Sequence, residues 1–408
     1  MLRWTRIALI AAAATLIAGC ATLRRPAPAP KPSRAPVPRH GLTRPPPSPV
    51  SIPVAQARLA VLLPMTGPLA AAGESVRDGF LTAYYQASSG QRPTVRLYDT
   101  GGGEPIGDIL ARAARAGANI IVGPLTRADV ATAASDPQPR PPVLALNFLP
   151  AHEPAPSHFF QFALSPTAEA KMVARRVLAD GHRVGIAIVP EGAWGTRVLS
   201  AFTEQLHAGG GSLLASERID LSRADYSDAI EGALLIEQSR ERLRRLESLL
   251  GMRLAFTARR RGDIQFIFAP APPGVERMLM PQLRYYYAGG VPTYSTSDGF
   301  APDPAANQDL DGLQFPDMPW MLGSPLAQAV RVAAADAWPA GGPDRGRLFA
   351  FGFDAYRLGV ALLSSGHPAG LKLDGLTGRL RLDPDGRILR RLRWARLENG
   401  QARLLPSE

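Results

Sequence analysis

Cysteine is almost missing: the 408 residues contain one, Cys20. A single thiol excludes an internal disulfide framework and any CxxC metal or redox motif. Lysine is nearly as scarce. Lys31, Lys171 and Lys372 are the only three, and none follows a glycine in a phosphate-cradling loop. No HExxH string and no GxSxG elbow occur, and His40, His152, His158, His182, His207 and His367 lack metal-ligand spacing. Asp99-Thr100-Gly101 resembles half of an aspartic-protease pair, but the second Asp-Thr/Ser-Gly triplet that would share the proton is absent. Asp99 ends an apolar strand and precedes three glycines and a helix, so it reads as a strand-to-helix turn. These absences point away from an enzyme, a cofactor and a metal site. No apolar run reaches the roughly 20 residues that a bilayer span needs.

What is present begins with a leader. Arg3 and Arg6 precede an alanine-rich apolar stretch over residues 7–17, and Leu16-Ile17-Ala18-Gly19-Cys20 closes it with small residues before the cysteine. This pattern suits an export signal over residues 1–19. The cysteine fits a lipobox, in which Cys20 is acylated; the other reading is an ordinary secretory signal with an incidental cysteine. Ala21 stands where an inner-membrane lipoprotein often carries Asp, which favours the periplasmic face of the outer membrane. Residues 20–57 form a tether. Eleven prolines lie between residues 24 and 53, so this stretch favours polyproline II and, at about 3.1 Å per residue, reaches on the order of 90 Å.

The net charge of +11 invites a nucleic-acid partner, and its distribution argues against one. Eight of the 46 basic residues lie in the leader and the tether, which has no Asp or Glu, leaving 38 against 35 acidic residues in the body. A nearly neutral body has no global phosphate-binding field. The basic tether either touches anionic lipid or peptidoglycan, or is a solvated spacer.

From residue 58 apolar strands alternate with amphipathic helices. Strands are expected near 59–64, 95–98, 119–122, 143–147, 184–189, 212–218, 264–269 and 292–295, with helices at 73–86, 106–116, 128–134, 168–179 and 195–207. Such alternation predicts α/β architecture with parallel sheets flanked by helices. About 350 residues exceed one usual core, so two lobes are expected. Lobe I is assigned 58–162 plus 296–365, and lobe II 163–295 plus 366–408. The end reads as a hairpin: 378–382, a turn at Asp383-Pro384-Asp385-Gly386, then 392–397.

Two segments are candidate sites. The loop Met65 to Gly73 opens the first helix at the place where open α/β sheets bind ligands. Thr66, Gly67, Ala72 and Gly73, with Leu125, Asn147, Trp194, Ser295 and Ser297, are the expected lining of a cleft. The other reading of the loop is close packing of helix on sheet. Residues 237–261 form a strongly charged segment, with Leu243, Leu246 and Leu250 along one side of a helix and Arg240, Arg244 and Arg245 on the exposed side. Either the leucines dock this helix on the body, or the segment is a partner-binding arm.

Together these residues resemble the type 1 periplasmic-binding-protein fold, in which three crossings join two lobes. The opening Leu62-Leu63-Pro64-Met65-Thr66-Gly67-Pro68 and the final Thr377-Gly378-Arg379-Leu380 are similar to branched-chain amino-acid receptors. A narrower resemblance, over residues 58–405, is to the C-terminal domain of the LpoA family of penicillin-binding-protein activators. It rests on Val76-Arg77-Asp78-Gly79-Phe80, Trp194-Gly195-Thr196-Arg197-Val198, Asn307 to Gly312 with Asp317-Met318-Pro319-Trp320, and Arg390 to Ala395. The resemblance implies a non-catalytic outer-membrane lipoprotein that stimulates the transpeptidase of a class A penicillin-binding protein. The alternative is a solute receptor for an amino-acid or amide ABC transporter, with a small-molecule ligand in the cleft. Two departures stand out. Longer relatives carry a TPR-like helical domain where this sequence has the proline tether, which makes a short form the expectation. Gln265 stands where relatives tend to have an acid.

Overall fold

Five consecutive apolar residues, Leu59 to Leu63, are all buried in β1 (Arg58–Leu63), and alternate ones enter different cores. Leu59, Val61 and Leu63 join one cluster, while Ala60 and Leu62 join another on the opposite face of the sheet. The unbroken apolar run therefore marks a central strand covered on both sides. In this computed structural model the described residues are 53–406, except 139, 151–152, 338–345 and 365–369. They belong to one compact unit, Pro49–Glu408. The expected leader, Cys20 and nearly all of the tether lie outside the described residues.

Around β1 stand β2 (Thr94–Asp99), β3 (Ile120–Val122), β4 (Val143–Ala145) and β5 (Phe159–Gln161), all parallel, in the order β2-β1-β3-β4-β5. Parallel neighbours need crossovers, and three are the helices α1 (Ala70–Gln86), α2 (Ile106–Arg115) and α3 (Arg127–Ser135). The chain then leaves this sheet through α4 (Pro166–Ala179), whose Ser165 cap accepts the Ala168 amide at 3.3 Å. The second lobe follows with β6 (Val184–Pro190), α5 (Gly192–Ala208), β7 (Ser212–Ile219), α6 (Ser227–Ala233), α7 (Ile236–Leu250), β8 (Phe266–Phe268), α8 (Pro273–Tyr285), β9 (Thr293–Tyr294) and β10 (Gln314–Asp317). Its parallel strands run β7-β6-β8-β9-β10, the same order as the first sheet.

After β10 the chain returns through α9 (Pro319–Leu322), α10 (Pro325–Ala337) and α11 (Arg347–Ser364) to the first core. A small antiparallel sheet follows, made of β11 (Lys372–Asp374), β12 (Arg379–Leu382) and β13 (Ile388–Arg391). A third crossing leads to β14 (Arg393–Glu398), antiparallel to β10, and β15 (Gln401–Leu404) closes that edge. The architecture is thus two-lobed α/β with three crossings. Among the described residues no helix is long and apolar enough to cross a membrane.

The return helix is held by two glycines. A Cβ on Gly79 of α1 would stand 1.8 Å from the Phe349 carbonyl oxygen, and one on Gly352 of α11 would stand 1.9 Å from that of Val76. The two backbones therefore touch, and Phe80 packs edge-on against Tyr356 at 5.2 Å beside them.

The structure corrects the expectations at three places. The segment 392–397 is not the second hairpin strand: Leu382 pairs with Ile388 directly after the turn, and Arg393–Glu398 crosses to the larger sheet. The expected partition between lobes also shifts. Residues 314–317 extend the second sheet beside β9, whereas Leu376, Leu380 and Ile388 bury their side chains in the first lobe's core. Finally, the expected leucine face of α7 docks only in part: Leu243 is half-buried, whereas Leu246 and Leu250 are 49 % and 59 % exposed.

Candidate functional site

Each lobe begins with the same local construction. Pro64 follows β1 and Pro190 ends β6; the following helix brings Gly73 or Gly195 against that proline's carbonyl, where a Cβ would stand 2.0 Å or 1.9 Å from the oxygen. Gly73 thus serves close packing. The preceding loop is pinned by Asp99, whose Oδ1 accepts the amides of Met65 at 2.7 Å and Gly101 at 2.8 Å while Oδ2 accepts the Thr66 hydroxyl at 2.7 Å. These bonds, the Thr66 hydroxyl foremost, hold the Asp99 carboxyl below its ordinary range. Asp99 is accordingly a positioning residue for the loop. Thr66 and Gly67 remain exposed and Ala72 is half-buried.

The other expected cleft residues are largely occupied by their own chain. Asn147 donates to the Leu125 carbonyl at 3.0 Å, and its oxygen accepts the Phe148 amide at 3.0 Å. Trp194 is half-buried and packs against the core between α4, α5 and the second sheet. Ser295 and Ser297, expected to face a cleft, are buried. Ser295 Oγ donates to Glu276 Oε1 at 2.7 Å and Ser297 Oγ donates to Glu169 Oε2 at 2.7 Å.

The two serines lead to a charged network at the crossings that sequence reasoning missed. Glu169 of α4 accepts Arg390 of β13 at 3.0 Å, with both side chains under a tenth exposed. Arg347 opens α11 and reaches β10, donating to both Asp317 oxygens at 2.6 and 3.2 Å, and to the carbonyls of Ser297 and Phe300 at 2.7 and 3.1 Å. Asp298 lies beside them, and burial raises its carboxyl, with Glu169 adding repulsion. Burial likewise pushes Asp317 up to about 6 against the pull of Arg347. Glu276, wholly buried behind Ser295, is pushed up to about 8 by desolvation, so its neutral form dominates at pH 7. Two carboxylates, Glu169 and Asp317, and two guanidiniums thus bind elements of both lobes to each other. Within the first lobe, Asp354 of α11 accepts the amides of Leu376 and Thr377 and the Thr377 hydroxyl at 3.0, 2.7 and 2.6 Å.

Hollows lie elsewhere. One of about 600 Å³ is bounded by Pro53, Ala87, Gln91, Tyr356, Val360 and Leu373. Two of about 230 Å³ each lie between α1 and β2, and at the ends of β6 and β7. None of the nine expected cleft residues lines any of these three.

On the expected partner surface, Arg240 is half-buried and forms a two-pronged pair with Glu231, and Arg244 pairs with Glu237. Arg245 is exposed. Gln265 proves an adequate replacement for an acid. Its Oε1 accepts the backbone amides of Arg183 at 2.7 Å and Val184 at 3.1 Å, a task that needs an acceptor and no charge.

Comparison with known proteins bears on this arrangement. The model of the LppC putative lipoprotein family matches residues 52–400. The chain belongs to that family. Among curated relatives, the penicillin-binding protein activator LpoA of Photobacterium profundum is 27 % identical over 355 residues, covering 85 % of this chain and 57 % of the relative. LpoA of Klebsiella pneumoniae is 30 % identical over 319 residues, covering 75 % and 44 %. This LppC-family chain therefore spans about half the length of the curated relatives it matches. In structure it is similar to the C-terminal domain of LpoA from Haemophilus influenzae, a regulator of PBP1A, with a TM-score of 0.66 at 23 % identity, covering 86 % of this chain and all of that one. A putative branched-chain amino acid ABC transporter protein from Chromobacterium violaceum gives 0.63 at 25 % identity, covering 84 % and 100 %. The motifs that carried the resemblance in sequence contain Asp317 and Arg390, two members of the crossing network.

Proposed function

We propose that this LppC-family chain is a non-catalytic activator. Lipidated at Cys20 on the periplasmic face of the outer membrane, it binds a class A penicillin-binding protein and stimulates peptidoglycan transpeptidation. One observation carries the reading: polar side chains that a receptor would turn toward a ligand are spent on each other. Ser297, Glu169 and Arg390 form one buried group, and Ser295 is bound to Glu276. Curated relatives along the same body that are named as activators support it. The proline tether supplies the reach that an outer-membrane anchor requires, with peptidoglycan as a further contact along its path.

The test adds residues 21–408 to the cognate class A synthase with lipid-linked precursor and reads the fraction of cross-linked muropeptides. A rise is expected. An active synthase that neither binds nor responds would sink the activator reading. A second reading, a receptor for an amino acid or amide, draws on the likeness to the Chromobacterium violaceum protein. It requires thermal stabilisation by some member of an amino-acid panel at saturating concentration.

A further inference from the structure

Among the described residues, the end of α7 and the loop after it gather five exposed large apolar side chains. Leu246, Leu249, Leu250, Met252 and Phe256 are each between 45 % and 76 % exposed, within eleven residues of sequence. Exposed apolar residues concentrated in this way mark an interaction site more often than a tolerated surface. The base of the segment is firm. Ile236 and Ser239 are buried, Arg240 is clamped by Glu231, and the Arg261 amide donates to the Leu234 carbonyl at 3.3 Å. The turn is closed by Gly251 at φ 66° and by Glu247, whose Oε1 accepts the Leu254 amide at 2.9 Å. A fixed base and a built turn present an apolar tip to solvent.

We propose that this prong docks into a partner protein through an apolar groove rimmed by carboxylates. The inference rests on the activator reading and places the groove on the periplasmic part of the synthase. The argument from charge is direct. Residues 241–259 contain five arginines and two glutamates. Arg244 is paired within the helix, while Arg242, Arg245 and Arg253 are exposed around the leucines. Every cation in the prong is arginine, whose planar fork matches carboxylates in two-pronged fashion. Glu241 and Glu247 interrupt the basic face and count against an anionic bilayer as the occupant. At the return of the prong, Arg259 lies over Tyr287 at 5.9 Å and Arg260 donates to the Tyr287 carbonyl at 3.1 Å. Tyr287 and the neighbouring Tyr285 are themselves exposed, so arginine and tyrosine extend the patch as they do in protein interfaces.

The experiment uses the full lipidated chain in detergent with its cognate synthase and measures affinity for wild type, Leu249→Asp, Arg245→Glu and the remote control Gly107→Ala. Thermal melts check that the variants fold. Binding should weaken more than about tenfold for each prong variant and stay unchanged for the control. Wild type that binds with undiminished prong variants overturns the prong alone; wild type that fails to bind removes the activator reading and the prong with it. Prong variants that keep synthase binding but lose flotation with phosphatidylethanolamine/phosphatidylglycerol vesicles would assign the prong to the membrane and overturn the proposal.

Discussion

Replacing Arg390 with methionine isolates the contact between α4 and the small sheet. The guanidinium donates to Glu169 at 3.0 Å and to the Thr377 carbonyl at 3.4 Å, and the pair is 6 % and 8 % exposed. Methionine fills much of the volume but removes the charge. Glu169 then keeps the Ser297 hydroxyl and amide, at 2.7 and 3.2 Å, and the weaker attraction of Arg347, with Asp298 and Asp317 nearby. Breaking one side of a buried pair costs about 3–5 kcal/mol, because the orphaned charge remains desolvated. With roughly 2 cal/mol/K of unfolding entropy per residue over a body of about 350 residues, this corresponds to a fall of about 4–7 °C in Tm. Adding Glu169→Gln should recover most of the loss, since removing both ions costs far less than removing one. Urea unfolding and thermal melts of the two singles and the double complete the cycle. A loss under about 1 kcal/mol, or a double variant worse than both singles, would refute a buried clamp between these elements.

Three further variants test the packing and the buried acids. Glu276→Gln removes an acid whose carboxyl is pushed up to about 8. Because the folded value is raised, wild type is favoured at low pH and loses about 1.4 kcal/mol per pH unit relative to the glutamine variant as pH rises from about 5 to 8. A flat difference between their urea midpoints across that range would show Glu276 to be solvated. Gly352→Ala should cost about 1–3 kcal/mol or more, since its Cβ would stand 1.9 Å from the Val76 oxygen and α1 and α11 must separate. Gly107→Ala, with nothing within 4 Å of its Cβ inside α2, should instead gain about 0.5–1 kcal/mol; equal effects of the two on Tm would contradict the close helix contact.

Periodicity carried most of the fold because the strands and helices of both lobes bury regular faces. The run Leu59 to Leu63 could only be a strand covered twice, and Ala168 to Ala179 showed its buried stripe directly. Legibility failed where tertiary contacts overrule local pattern. β10 has four residues, too short for a period to appear. Arg393–Glu398 reads as a hairpin partner, yet its pairing with β10 across the crossing wins. The charged network was hidden for a different reason. Glu169, Ser297, Asp317, Arg347 and Arg390 are far apart in sequence and carry no spacing. The resemblance motifs marked Asp317 and Arg390, and Ser297 was singled out only as a cleft residue. At α7 the leucine spacing left a docked helix and a partner-binding arm both open, and the exposure of Leu246 and Leu250, 49 % and 59 %, is visible only in the fold.

The clamp and the prong bear on one question, which is where a receptor-like body could change its affinity for anything. A hinge that opens for a ligand needs a low cost of separation, because a ligand shifts an equilibrium only by its differential affinity for the two states. Here separation of α4 from β13, and of α11 from β10, would strand Glu169 against Arg390 and Asp317 against Arg347. To invert even a hundredfold preference for the closed state, a ligand must bind the open form about 10⁴-fold more tightly, roughly 5.5 kcal/mol. A protein partner meeting an exposed tip faces no such barrier, since Leu249 and Arg245 are presented whatever the hinge does. The physical asymmetry between a locked interior and an unpaired exterior is therefore the reason to look for this chain's activity on its outside.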